Sequence, residues 1–315
     1  MSRILVVGSV AYDTVETSAG RSARQLGGSA TYFSVASSYL ADVAVVAVVG
    51  EDFASEDRAM LRAHGVETSG LEQAAGDTFR WSGSYREDPN TAVTLETRLN
   101  VFAGFTPRLR DSHRSAPYLF LANIDPELQS SVLDQMAARP KLVACDTMNL
   151  WIDSSRPALV SLMRSVDTVL INEAEARQLT GRRGIAAAAE ALLEMGPASA
   201  VIKRGEYGAA VFHRDFTFAV PAYPLVSVVD PTGAGDSFAG GFMGYLAAVD
   251  EAGPEALRCA AVVGSVMASF AVEGFGLGRL KSLSAADINE RFGAFVELTR
   301  FRPLGEGQGL PLAVR

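Results

Sequence analysis

Short runs of consecutive apolar residues recur along the first two thirds of the chain. They cover residues 4–8, 43–50, 118–124, 141–146, 168–172 and 200–205. Runs of this length without regular polar alternation are typical of strands that are covered on both faces. The pattern therefore predicts a parallel sheet.

Segments with helical spacing of apolar residues lie between these runs, at 29–41, 126–138, 156–165 and 185–196. Alternating strands and helices form βαβ units, so we predict an α/β fold with a doubly wound, mainly parallel sheet and helices on both faces. Ligands of such folds bind at the carboxyl ends of the strands. Polar residues or glycines stand at several of these ends, namely Gly8, Asn123, Asp146, Asn172, Arg204 and Gly205.

One region does not fit the βαβ pattern. Residues 78–106 are rich in threonine, aromatic and charged residues that partly alternate, and they contain the turn sequence DPN at 88–90. This predicts antiparallel strands with one solvated face. Together with residues 14–26 they would form a small β lid over the strand ends, although an ordinary surface hairpin fits the pattern equally well. We expect one domain over residues 1–301 and an extended tail at 302–315, where proline and glycine are frequent.

Composition excludes some partners. The chain has 315 residues, of which 48% are hydrophobic, and a formal net charge of −8 with scattered acidic residues. This charge argues against a nucleic-acid or anionic-membrane surface. No apolar stretch approaches the roughly 18 residues of a membrane span, so we expect neither nucleic acid nor membrane as a partner.

Cysteine and histidine usage indicates a cytoplasmic protein without a structural metal site. Cys145 and Cys259 lie in apolar settings and are expected to be buried, reduced thiols. His64, His113 and His213 are far apart in polar contexts and lack metal-ligand spacing, so we expect them at the surface.

Residues 230–241, DPTGAGDSFAGG, carry the clearest chemical signal. Gly233, Ala234 and Gly235 predict a turn that opens a helix, where free backbone N–H groups bind anions. The sequence matches neither a Walker A loop nor GxGxxG. Asp236 could simply cap the helix, but a cap does not explain three successive small residues. Phosphoryl transfer to an alcohol needs both parts, an anion hole for the phosphoryl oxygens and a base for the hydroxyl proton.

DPTGAGDSFAGGF resembles the C-terminal signature of the ribokinase-like (PfkB) family of carbohydrate and nucleoside kinases. GGSATYFSVASSYL (27–40) with VAVVAVVGEDF (43–53) is similar to the family's N-terminal signature. NEAEARQLTG (172–181) matches its NxxE motif, and VIKRGEYGAAVF (201–212) resembles its nucleotide-contacting strand-turn-strand. The motifs occur in family order over nearly the whole chain.

The resemblance implies an ATP-dependent kinase with Asp236 as catalytic base and the amides of Gly233, Ala234 and Gly235 as anion hole. Asn172 and Glu175 of NxxE would position Mg²⁺ and its waters, although Asn and Glu are also ordinary residues at a helix start. The residues implied in ATP binding are Asn172, Lys203, Gly205, Gly208 and Thr232. From the residues alone, the two glycines at 205 and 208 are equally typical of a hairpin turn.

For the acceptor, the resemblance implies that Asp13 binds substrate hydroxyls while Gly27 and Gly28 let the substrate approach the backbone. Asn123, Asp146 and Asn149 are expected near the same pocket. The chain has Thr31 and Tyr32 where ribokinases often have an asparagine, and CDTMNLWI (145–152) also departs from ribokinase and fructokinase forms. The acceptor, expected to offer a primary hydroxyl of a sugar or nucleoside, therefore stays open.

Several alternatives accompany this interpretation. Some relatives use K⁺ with the first aspartate of the signature, here Asp230, as a ligand, but Asp before Pro231 is also typical of a turn. An inactive sugar- or nucleotide-binding protein on the same fold, a nucleoside instead of a sugar as acceptor, and ADP as donor are the competing functions. If residues 78–106 expose an aromatic face with Phe79, Trp81 and Tyr85, a homodimer through the lid would cover it.

Overall fold

The computed structural model describes residues 3–302. Its strands are β1 Arg3–Val7, β2 Ala11–Thr17, β3 Gly20–Gly27, β4 Asp42–Val49, β5 Glu67–Gln73, β6 Phe79–Ser84, β7 Val93–Arg98, β8 Tyr118–Leu121, β9 Leu142–Asp146, β10 Thr168–Asn172, β11 Ser199–Lys203, β12 Ala209–His213 and β13 Thr217–Val220. The helices are α1 Ser29–Ser38, α2 Ser55–Ala63, α3 Asp111–Arg114, α4 Pro126–Asp134, α5 Asn149–Ser154, α6 Arg156–Met163, α7 Glu173–Thr180, α8 Ile185–Glu194, α9 Ala234–Val249, α10 Pro254–Ala271 and α11 Ala285–Thr299.

A nine-stranded sheet in the order β13-β12-β11-β10-β9-β8-β1-β4-β5 forms the centre of the molecule. The strands from β11 to β5 pair in parallel, whereas β12 and β13 add an antiparallel edge. Ile4 and Val6 of β1 pack in one core with α1, α9 and α10, and Leu5 and Val7 pack in the other with α4, α6 and α8. The prediction of a doubly wound sheet with helices on both faces is therefore confirmed.

Small residues let α9 lie unusually close to two neighbouring helices. A Cβ atom added to Gly240 would lie 2.5 Å from the carbonyl oxygen of Phe33 in α1, and one added to Gly241 would lie 2.8 Å from Cγ of Met267 in α10. Such close packing leaves no room for larger side chains at either glycine. It holds the first turn of α9 at the carboxyl edge of the sheet.

The lid is a separate four-stranded sheet in the order β3-β2-β6-β7. β2 and β3 form an antiparallel pair, as do β6 and β7, while β2 and β6 run parallel. The antiparallel strands predicted in 78–106 are thus present, and they combine with the first segment as expected. The Thr17 hydroxyl donates to the main-chain oxygen of Val229 (2.8 Å), which ties the lid to the segment before α9.

The aromatic residues expected on an exposed lid face are in fact half-buried. The Phe79 ring stacks on Phe102 with a centroid distance of 5.3 Å, and Trp81 meets Tyr85 edge to face at 6.5 Å. The apolar side chains that the lid does expose are on or next to β7, at Val93, Leu95 and Leu99. A dimer through the lid stays a prediction.

One histidine was misplaced by sequence reasoning. His113 is completely buried, and its Nε2 lies 2.8 Å from Oε2 of Glu67. The polar neighbours in the sequence misled the prediction because α3 turns this one side chain inward, next to Gly70 of β5. Cys145 is buried and Cys259 half-buried, and both are free thiols.

Within residues 3–302, no helix is long and apolar enough to cross a membrane. The predicted tail at 302–315 lies, apart from its first residue, outside the described residues.

Candidate active site

The loop before α9 is held in place by Asp230. This carboxylate is fully buried and accepts hydrogen bonds from Thr232 N (2.9 Å), Gln25 Nε2 (2.9 Å) and Gly276 N (3.0 Å). Gln25 belongs to the lid strand β3, so the same carboxylate joins the lid, the loop and the segment after α10. These three hydrogen bonds fit the role of a turn residue, which the sequence Asp230-Pro231 predicts.

Gly233 directs the chain into α9 with a left-handed conformation, φ 74°. No side chain caps the first turn of this helix, so the positive end of its dipole remains directed at the site. The Ala234 amide, which was expected in the anion hole, instead donates to the main-chain oxygen of Pro231 (3.2 Å). A Cβ atom at residue 233 would overlap the ring of Tyr32, and one at Gly235 would lie 3.2 Å from Nζ of Lys203. The turn is therefore enclosed by a phenol on one side and an ammonium group on the other.

Asp236 lies in this first turn and is half-buried. Burial raises the pKa of Asp236 to about 7, the Asp146 carboxylate adds to the rise, and Lys203 opposes it. A carboxyl group with a pKa near neutrality is suited to accept a proton during a reaction. Desolvation together with specific charged neighbours at one point of a cleft is also a mark of a functional site.

Three further charged side chains lie near Asp236, at or just after the ends of the neighbouring strands β9, β10 and β11. Lys203, at the end of β11, donates to Oδ2 of Asp146, at the end of β9, over 2.8 Å. Burial would lower the pKa of Lys203, but Asp146 and Glu175 outweigh it and hold that pKa above its usual value. Glu175 is half-buried, and burial together with Asp146 raises its pKa to about 7.

Asn172 and Glu175 form a capping box at the start of α7. Oδ1 of Asn172 accepts from the Glu175 amide (2.8 Å), and Oε2 of Glu175 accepts from the Asn172 amide (2.9 Å). The helix-start interpretation of this motif is thus confirmed, and it also places both side chains at the end of β10 beside Lys203.

Asp13 marks the other side of the site, where the acceptor was expected. It is 4% exposed, and burial, then the Asp230 carboxylate and less strongly Asp236, raise its pKa to about 8. A Cβ atom at Gly27 would overlap the Asp13 carboxylate, and one at Gly28 would lie 2.5 Å from the main-chain oxygen of Ser9. Asp13 and the glycine pair therefore come together as predicted.

Two tyrosines of this region were not identified as site residues from the sequence. Tyr32 is 1% exposed, its hydroxyl has no partner among the described residues, and the charges of Asp13, Asp230 and Asp236 all act on it. Tyr85, just after β6 of the lid, is influenced by the same three carboxylates. Tyr32 was noted as a departure from relatives, which is the signal that could have identified it.

The remaining predicted residues are more scattered. Oδ1 of Asn123 accepts from the indole of Trp151 (2.9 Å), whereas Asn149 is exposed and bonds to the next amide, of Leu150. Asp146 pairs with Lys203, and its expected place beside the acceptor stays a prediction.

Gly205 and Gly208 form the β11–β12 turn with φ values of 55° and 86°. Asn90 of the lid touches this turn, since its Oδ1 accepts from the Glu206 amide (3.3 Å).

A doubly wound, mainly parallel sheet with a separate β lid is the architecture of the ribokinase-like fold. The family model of the pfkB carbohydrate kinases matches residues 1–277, and the chain belongs to this family. It is a carbohydrate or nucleoside kinase.

The chain is similar in sequence to nucleoside kinases and similar in fold to a fructokinase. The chain is 31% identical over 252 residues to a cytidine kinase of Thermococcus kodakarensis, and the matched region covers 78% of this chain and 89% of that protein. It is 26% identical over 299 residues to a nucleoside kinase of Methanothermobacter thermautotrophicus, covering 87% and 90%. Its fold is similar to that of Vibrio cholerae fructokinase in its fructose-, ADP- and calcium-bound form, with a TM-score of 0.77, 17% identity and coverage of 93% and 99%.

The raised pKa of Asp13 predicts a pH-dependent stability difference. The folded chain retains a proton on Asp13 that the unfolded chain releases above pH about 4, so stability falls as pH rises from about 4 to about 8. Asp13→Asn removes this effect, so its stability relative to the wild type should rise by up to about 5 kcal/mol between pH 4 and pH 8, given about 1.4 kcal/mol per pKa unit. Thermal melts of the ligand-free protein between pH 5 and 9 measure the difference, with the exposed Asp134→Asn as control. If the difference in stability between Asp13→Asn and the wild type does not become smaller toward low pH, the pKa of Asp13 is not raised by burial.

Proposed function

We propose that this protein transfers the γ-phosphoryl group of ATP to the primary hydroxyl of a nucleoside, with Asp236 as general base. The observation that carries the proposal is the position of Asp236, whose carboxyl group has a pKa of about 7 and lies in the uncapped first turn of α9. A base and an anion hole within one helical turn fit phosphoryl transfer to an alcohol.

The reaction follows from these two parts. Asp236 accepts the proton of the attacking hydroxyl, while the hydroxyl oxygen forms a bond to the γ-phosphorus and the bond from that phosphorus to the ADP oxygen breaks. The α9 amides, preceded by Gly233, face the charge on the transferred oxygens. The amides of Gly233 and Gly235 are the proposed donors of this anion hole, and the Ala234 amide would have to leave the main-chain oxygen of Pro231 (3.2 Å) to join them.

The residues on the nucleotide side fit Mg²⁺ held mainly by phosphates and water. Asp146, Glu175 and Asp236 influence one another electrostatically and share the single ammonium group of Lys203. Among the described residues, no group of three or more His, Cys, Asp or Glu side chains could hold a metal ion directly. Mg²⁺ prefers one or two carboxylates and keeps several waters, so Glu175 and Asn172 would bind those waters. When bound, the ion offsets the repulsion between the triphosphate and these carboxylates.

Asn172, Lys203, Gly205, Gly208 and Thr232 remain the proposed ATP contacts. Asn172 and Lys203 are paired residues of adjacent strands, and the two glycines turn the chain directly after Lys203. Thr232 is 9% exposed, and its side chain interacts with the phenol of Tyr85. The proposed ATP contact of Thr232 therefore rests on its place in the loop that leads into α9. For Asp230, the three hydrogen bonds support the turn role better than that of a K⁺ ligand.

On the acceptor side, Asp13 and the buried Tyr32 hydroxyl offer hydrogen-bonding groups to a diol such as that of ribose. The relatives over most of the chain are nucleoside kinases, which favours a nucleoside over a free sugar. An inactive binding protein is disfavoured, because it would have no use for a base with a raised pKa beside an anion hole.

A coupled assay of ADP release tests this function. Cytidine, adenosine, inosine, ribose, fructose and inositol are compared as acceptors with ATP and Mg²⁺, and ADP replaces ATP in a parallel series. We expect at least one nucleoside to stimulate ADP release well above the acceptor-free rate. The matching 5′-deoxynucleoside, which lacks the primary hydroxyl, should bind without turnover. Stimulation by sugars alone would overturn the nucleoside assignment, and binding without turnover for all acceptors would overturn the kinase.

A further inference from the structure

The ion pair between Asp146 and Lys203 is unusual in its burial. The side chains are 6% and 15% exposed, and their charged atoms lie 2.8 Å apart. Asp146 is fixed further, since its Oδ1 accepts from the Thr147 amide (2.8 Å) and its main-chain oxygen accepts from Nε2 of Gln129 (3.0 Å). A buried pair of this kind is weak evidence for stability, because desolvation offsets much of the attraction. The pair lies beside the carboxyl group of Asp236, which indicates a role in the chemistry of that group.

Lys203 reaches the first turn of α9. Its Nζ lies 3.2 Å from the position of a Cβ atom at Gly235, the residue before Asp236. Asp146, in contrast, acts on Asp236 through space as a like charge, and the two partners shift the pKa of Asp236 in opposite directions. The pair thus places one positive and one negative charge next to the same carboxyl group.

Other ionisable groups face Asp236 from the elements packed around it. They are the carboxyl groups of Asp13 in β2 and Glu175 in α7 and the phenols of Tyr32 in α1 and Tyr85 after β6. Lys203 is the cation of this set, so its ammonium group is what limits the repulsion among the carboxylates.

We propose that the pair of Asp146 and Lys203 sets the proton affinity of the base. Asp146 is a positioning residue that holds the Lys203 ammonium group at the anion hole and strengthens Asp236 as a proton acceptor, while Lys203, which is also a proposed ATP contact, keeps Asp236 ionised. The inference rests on the proposed role of Asp236. It assigns Asp146, which the sequence placed with the acceptor, to the control of the base.

Removing the charge of Asp146 and removing that of Lys203 should shift the pH profile in opposite directions. A purely structural ion pair would not give opposite shifts. The acidic limb of kcat/KM should lie near pH 7 in the wild type, because the base must be ionised. Asp146→Asn removes a like charge and should move the limb to lower pH by roughly 1 unit, and Lys203→Met removes the opposite charge and should move it to higher pH by a similar amount. The pH profile of kcat/KM for the acceptor at saturating ATP and Mg²⁺ measures both shifts.

Matched variants complete the experiment. Lys203→Arg keeps the positive charge and should return the limb toward its wild-type position. Lys141→Met breaks the exposed ion pair with Asp250 far from the site and should move nothing. Lys203→Gln and Asp146→Ser make the same charge changes and replace any variant that melts below the assay temperature.

Shifts in the same direction, or no shift in variants that remain folded, overturn the inference. Its failure is distinct from that of the proposed function. If Asp236→Asn abolishes turnover while the limbs do not move oppositely, only the role of the pair is wrong. If Asp236→Asn retains normal turnover, the assignment of the base is wrong and the inference falls with it.

Discussion

Replacing Asp236 by Asn is expected to lower kcat by about 10²- to 10⁴-fold, the usual contribution of a general base, while ATP and the acceptor still bind. Asn has nearly the same shape as Asp, so it fits the first turn of α9 between Tyr32 and Lys203 without new contacts. Its amide cannot take the proton of the attacking hydroxyl. Single-turnover phosphoryl transfer measures the chemical step, and calorimetry measures the two dissociation constants.

The control for this variant is Asp134→Asn, which makes the same chemical change at an exposed position in the last turn of α4. It should have wild-type kcat and binding. A near-normal kcat in Asp236→Asn would show that this carboxylate is not the base. A loss of both ligands' binding together with activity would show instead that Asp236 holds the turn in place.

The sheet could be predicted well because its strands are covered on both faces. The apolar run at 168–172 coincides with β10, Thr168–Asn172, and the run at 43–50 differs from β4 by one residue at each end. A central strand must be apolar on both sides, and this signal is local in the sequence. The lid segments partly alternate in sequence and were recognised as a group of strands, although every residue of β7 is exposed. The parallel pairing of β2 with β6 depends on contacts between distant segments.

The part of the candidate site that lies within one motif could be predicted from the sequence. The part that is formed by residues of distant strands could not. Asp236 and its glycines are contiguous, so their spacing alone indicated an anion hole with a base. Asp146 and Lys203 are separated by 57 residues and meet because β9 and β11 both flank β10. No local sequence pattern determines the order of strands in a sheet, so the partner of Asp146 could not be identified from the sequence.

Buried polar residues were the least predictable part of the site. The Tyr32 hydroxyl lies inside the protein although α1 is apolar or small over most of its length. Tyr85 reaches the carboxylates from the lid, and the half-burial of this residue depends on how the lid lies over the sheet. These side chains become informative only when the charges around them are known.

Replacing Gly233 by Ala should both destabilise the protein and impair catalysis strongly. Residue 233 has φ 74°, and the new Cβ atom would overlap the Tyr32 ring, which is itself completely buried. The conformational strain alone costs about 1–3 kcal/mol, and the overlap adds to it because a buried ring cannot move aside freely. A displacement of the turn by about 1 Å would misplace the anion hole and the base together, for which a fall of about 10²-fold in kcat/KM is expected.

The matched control is Gly293→Ala in the middle of α11. There the backbone is helical, residue 293 is exposed, and nothing lies within 4 Å of the added Cβ atom. This substitution should stabilise the protein by about 0.5–1 kcal/mol, because alanine loses less backbone entropy than glycine on folding. Chemical denaturation and kcat/KM, measured on both variants, compare the two glycines directly. If Gly233→Ala is as stable and as active as Gly293→Ala, the turn does not need a left-handed residue, and the anion hole must be formed by a different conformation of residues 232–235.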